Sequence, residues 1–127
     1  MRYPMIFITA ALLCLLVGES FGIWMSQDQQ RFVLAPAHAH LNLTGWVTLC
    51  LYGLVHNAFP VLAKTRLAIY QCVIAILGPV VMGPGILMVL QGGPETGAMI
   101  GSMLVSAGTL LFAIMFVGKV ALAKASA

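Results

Sequence analysis

Three histidines, His38, His40 and His56, carry the ligand chemistry of this 127-residue chain, and all of them lie in one stretch, RFVLAPAHAHLNLTGWVTLCLYGLVHNAFP, from Arg31 to Pro60. Neutral imidazole is the commonest protein ligand for haem iron and copper, and its second nitrogen needs a partner that orients the ring. His38 and His40 form an HxH pair, with Asn42 one turn below the first and Thr44 one turn below the second, at spacings that suit such a partner. Arg31 offers a guanidinium fork that matches a carboxylate such as a haem propionate, or meets water and lipid phosphate at an interface. Met82, Met88, Met99 and Met103 are soft ligands by type, although methionine in an apolar span more often packs. A nucleophile beside a base, a phosphate-binding loop and a carboxylate pair are all missing, so no independent enzymatic activity is expected.

The element that must position the histidines is a helix bracketed by prolines. Pro36 suits a first helical turn, where its missing N–H costs nothing, and Pro60 marks the far end. His38 and His40 then open the helix and His56 lies near its close, about 24 Å further on at the α-helical rise. Most of a hydrocarbon core of roughly 30 Å separates them, so the two ends cannot share one metal ion within a protomer. At 100° per residue His38, Asn42, Gly45, Leu49, Tyr52 and His56 fall on one stripe, whereas His40 points elsewhere, over Thr44, Val47 and Leu51. A polar and small stripe at membrane depth must face protein, a cofactor or a water-filled cavity, because lipid satisfies none of it.

HxHLNLxGW followed by LYGLxxxxFP, with Arg31 upstream, resembles helix II of the catalytic subunit of haem-copper oxidases and nitric oxide reductases. More closely, the whole chain resembles small four-helix proteins described as oxidase subunit I-like. The resemblance implies that His40, followed two residues later by Asn42, ligates a low-spin b-type haem on the outer side. It implies a four-helix arc, three of which rebuild the ring of the larger subunit, so a homo-oligomer is expected, with a trimer favoured over a dimer. A respiratory electron donor or acceptor is the partner it implies. Many members of the small family carry a histidine early in the third helix, where this chain has Tyr70-Gln71-Cys72, so a second axial ligand would come from His38 or His40 of another chain, from a methionine, or not at all. Haem is expected before copper, since six-coordinate haem needs two imidazoles and a symmetric oligomer can supply one from each of two chains, whereas copper needs about three clustered nitrogens.

With 61% hydrophobic and 7% charged residues the chain cannot be an ordinary soluble domain, which is near a quarter charged. Four apolar runs, 5–25, 37–59, 67–91 and 95–118, each reach the roughly 20 residues a spanning helix needs, so the expected fold is an all-α integral membrane four-helix bundle in one domain. Arg2, Lys64, Arg66, Lys119 and Lys124 then share one side and Arg31 lies opposite, which places both termini in the cytoplasm and the HxH pair outside. The membrane expected is the bacterial inner membrane. The net charge of +3 is explained by this asymmetry and gives no reason to expect nucleic acid. Cys14, Cys50 and Cys72 form no CxxC pair and read as small apolar residues. The N-terminal run is too long for a signal peptide and reads as a retained first span.

Glu19 is the ionisable residue of the first run, expected to be protonated, functional, or paired with Arg31 or a histidine, and Trp24 belongs to an interfacial aromatic belt. Pro79 and Pro84 should kink the third helix, making room for a planar cofactor or merely adapting its packing. Pro94 is expected at the first position of the fourth helix, whose Gly97 and Gly101 have GxxxG spacing suited to contact within the bundle or between subunits. Two further function classes fit this outline: a small proton-coupled exporter using Glu19, and a structural or assembly subunit without a cofactor.

Overall fold

In long apolar runs at membrane depth the backbone must satisfy its hydrogen bonds internally, and a single segment does so as a helix. The computed structural model describes residues 3–121, which are helical throughout apart from short connections and contain no strand. Arg2 and Lys124, two of the charges behind the expected orientation, lie outside the described residues. Helix α1 spans Tyr3–Ser26; a 3₁₀ segment, Gln29–Leu34, leads into α2 (Ala35–His40), a π-helical segment Leu41–Val47, and α3 (Thr48–Ala58), which follow one another without a break as one rod over 35–58. Helices α4 (Leu67–Leu90) and α5 (Thr96–Phe116) complete the bundle, α5 running on as a π-helical turn Val117–Ala121. Among the described residues three helices, Tyr3–Ser26, Leu67–Leu90 and Thr96–Val120, are long and apolar enough to cross a membrane. The rod over 35–58 is of matching length, but its α-helical course is interrupted by the π segment.

The chain turns where its chemistry prescribes. Asp28 sits in extended conformation before the 3₁₀ segment and accepts a bond from the Gln30 N–H at 3.0 Å, and Pro36 lies in the first turn of α2. Gly92, at φ +80°, supplies the left-handed residue that closes α4, with the Gly93 N–H donating to the Met88 carbonyl at 2.8 Å. Helix α5 begins at Thr96 with Glu95 at its cap, so Pro94 lies outside the helix and not at its first position. The helical run of α4 continues through both Pro79 and Pro84.

Small residues decide how the rods meet. Where α4 and α5 touch, a Cβ at Gly85 would overlap the backbone of Gly97 and Ala98, one at Gly101 the backbone of Met82, and one at Gly108 would crowd Ala75. The GxxxG spacing of the fourth helix is thus used inside the protomer, in the close contact between α4 and α5. The rod over 35–58 packs antiparallel on α1, with Asn42 over Gly18, His38 over Gly22 and Gly45 against Cys14. Its C-terminal half is held by aromatic rings: Phe7 meets Tyr52 edge-on at 5.8 Å, Tyr52 lies 4.6 Å from Phe112, and Phe59, just past its end, meets Phe116 at 90°. The Tyr52 hydroxyl donates to Thr109 Oγ1 at 2.9 Å, since the Thr109 hydroxyl itself donates to the Val105 carbonyl.

Candidate functional site

The stripe read from helical periodicity is the face the rod turns inward. Gly45, Leu49, Tyr52 and His56 are buried, and His38 and Asn42 are half-buried against α1. His38 owes its place to a glycine, because any Cβ at Gly22 would run into the imidazole Cε1. Phe21 flanks the same ring at 6.2 Å between centroids. Beneath it the Asn42 amide donates to the His38 carbonyl at 3.1 Å and lies 3.3 Å from Nε2 and 3.4 Å from Nδ1.

His40 stands on the other side of the helix and is exposed. Its ring is not oriented by Thr44, whose hydroxyl donates instead to the His40 backbone carbonyl at 2.7 Å. The partner is Pro36, whose carbonyl lies 2.8 Å from Nδ1. A carbonyl only accepts, so Nδ1 carries the proton and the lone pair of the neutral ring is on Nε2, which has no partner among the described residues. That is the arrangement a metal-ligating histidine requires. Below it, Leu43 and Leu51, 60% and 55% exposed, continue the same face as an apolar wall. The two imidazoles of the HxH pair therefore diverge, and a metal bound by both within one protomer would need the helix mouth rebuilt.

Just under the pair the rod widens into the π segment Leu41–Val47, with the Thr48 hydroxyl reaching back to the Leu43 carbonyl at 2.8 Å. Such wide turns often sit at functional sites. Nothing in the residue pattern announces it, since every residue there also suits an α-helix.

Arg31 belongs to the end of α1. Its Nη1 donates to the Trp24 carbonyl at 2.9 Å, its guanidinium lies 4.3 Å from the centre of the Trp24 ring, and its Nε is 3.7 Å from Asp28 Oδ2. Trp24 stacks on Phe21 at 5.8 Å, and Phe21 meets His38, so one continuous cluster ties Arg31 to His38. Glu19 is exposed and has no hydrogen-bond or ion-pair partner among the described residues, which overturns the expected pairing with Arg31 or a histidine of the same chain.

His56 proves to be enclosed. It is 1% exposed, ringed by Tyr3, Phe7 and Phe112, and its Nε2 lies 3.2 Å from Oε1 of Gln71, which is itself 0% exposed. His56 Nδ1 and Gln71 Nε2 have no partner among the described residues. A metal could reach His56 only by unpacking these rings, so the residue is better placed to join the second rod to α4 than to be a ligand. Gln71 escaped attention as a residue standing where a histidine was expected; its signal was that an amide on an apolar helix must find a polar partner. Among the described residues no group of three or more His, Cys, Asp and Glu converges. The space beside Pro79 and Pro84 is an apolar cleft of about 290 Å³ lined by Leu13, Cys14, Val17, Leu41 and Val80 besides the prolines, and no histidine reaches it.

No family model, no curated protein and no solved structure matches this chain.

Proposed function

We propose that the chain is a four-span protein of the bacterial inner membrane, with both termini cytoplasmic, that binds b-type haem through Nε2 of His40 for electron transfer or ligand sensing. One observation carries the reading: the exposed His40 ring is anchored at Nδ1 by the Pro36 carbonyl and offers Nε2 outward over an apolar wall. The chain's own contribution is orientation. Pro36 holds the tautomer and the wall of Leu43, Val47 and Leu51 suits a flat apolar group, whereas Arg31 lies on the His38 side and would have to leave both Trp24 and Asp28 to meet a propionate. Bound there, haem supplies one-electron chemistry or a coordination position for a gas. Copper on the same nitrogen is the second form of this reading, and it needs further ligands from another copy. A homo-oligomer, trimer before dimer, and a respiratory electron donor or acceptor belong to the same proposal, which the likeness of the AHAHLNLTGW segment to haem-copper oxidase helix II supports.

The test compares His40→Ala, His38→Ala and His56→Ala by visible spectroscopy after haem-replete expression. Loss of the haem spectrum with His40→Ala, weakening with His38→Ala and retention with His56→Ala are expected. Retention of the full spectrum in His40→Ala would refute the assignment.

A further inference from the structure

Glu19 presents a carboxyl to the surroundings of α1 about 10 Å short of the end of that helix, at the helical rise. Hydrocarbon satisfies neither a carboxylate nor a carboxylic acid, and the described residues of the chain supply no partner. What meets it must lie at the same depth.

The packing of the first two rods fixes that depth. They run antiparallel, with Gly22 opposite His38 and Gly18 opposite Asn42, so residue 20 lies opposite residue 40. Glu19 is therefore within about 1.5 Å, one residue's rise, of the level of His40. The two do not meet in one protomer, because His40 points away from α1 whereas Glu19 is on α1 itself. Any symmetry axis along the membrane normal preserves depth, so groups at one level in a protomer are at one level in all copies. Two exposed polar groups, one with a free acceptor nitrogen and one with a free carboxyl, then share a plane across a boundary between copies.

We infer that the site at His40 is completed by a second copy of the chain, whose Glu19 lies opposite the open Nε2 of His40. A carboxyl that keeps its proton donates O–H to the Nε2 lone pair; if the proton moves across, the carboxylate accepts from Nε2–H while Nδ1–H stays on Pro36. Iron bound at Nε2 would take that lone pair, and the carboxyl would then serve as a proton donor beside the bound group. The interface does not depend on the haem reading, because its basis is the shared depth of two unpartnered groups.

Cysteine cross-linking of the full chain in native membranes tests it. Cys14, Cys50 and Cys72 are replaced by Ala, and Glu19→Cys is combined with His40→Cys. Thiol oxidation, or a bifunctional maleimide if the two positions are held apart, is expected to link most of the double variant covalently between chains, and neither single variant. Leu12→Cys with His40→Cys is the depth control: Leu12 is two turns from Glu19 on the same face, and no cross-link is expected. If the cysteine-free chain fails to accumulate, a photoreactive benzoylphenylalanine at position 19 of the native chain replaces it, with the adduct mapped to the region around His40 of another chain. Absence of the 19–40 link, or equal linking from position 12, overturns the interface and leaves the spectrum of the wild-type protein to decide the haem reading. Linking of the double variant, together with a wild-type protein that takes up no haem, leaves the interface standing and sinks the haem reading alone.

Discussion

A histidine in a membrane helix is defined by what its two nitrogens touch, and the three in this chain divide on that criterion. His40 has one nitrogen anchored and one open, His38 rests on a glycine and an asparagine, and His56 is enclosed with Gln71. The buried pair makes a prediction free of any cofactor. His56→Leu strands the Gln71 amide and Gln71→Leu strands the imidazole, so each should lower stability by about 1–3 kcal/mol, whereas the double substitution should recover most of the loss. Thermal unfolding in detergent measures it; additive losses in the double variant would show that the pair is not coupled. At His38, Gly22→Leu should drive the ring off α1 and destabilise the outer half by about 1–3 kcal/mol, the range for overpacking. The inward stripe from His38 to His56 was legible in the sequence because it depends only on helical period. The tautomer of His40 was not, because it depends on a backbone carbonyl that any residue at position 36 would offer.

At the scale of elements, the fold is decided by where backbones come close. Gly85, Gly97, Gly101 and Gly108 bring α4 and α5 together within one protomer, and Gly18 and Gly22 seat the second rod on α1. Gly85→Val and Gly101→Val should each separate α4 from α5 and sharply reduce the yield of folded protein, since the new side chain meets backbone that cannot give way. Folding and stability equal to wild type would place the glycines outside the contact. GxxxG spacing was visible in the sequence, but not which helix it served, because spacing names a face and not its partner. The limits of the helices were legible to within a few residues from proline, glycine and hydropathy, although Pro94, expected at the first position of the fourth helix, precedes it. The π segment below the HxH pair, which packs between α1 and α4, was illegible, since no residue pattern in Leu41–Val47 announces it.

For the whole molecule the account joins a bundle of apolar helices to a single outward-facing imidazole. Read as four spans, the sequence sets five basic residues against Arg31 and so predicts cytoplasmic termini, and reporter fusions to the C-terminus that read as periplasmic would contradict that orientation. Native mass spectrometry should find a trimer or a dimer, and a stable monomer would remove both. The central claim, however, is the ligand on His40. Its most direct measurement is the visible spectrum of the wild-type protein purified in detergent after haem-replete expression. A Soret band of bound b-type haem in stoichiometric proportion to the oligomer is expected. A protein that folds, oligomerises and shows no Soret band would contradict it.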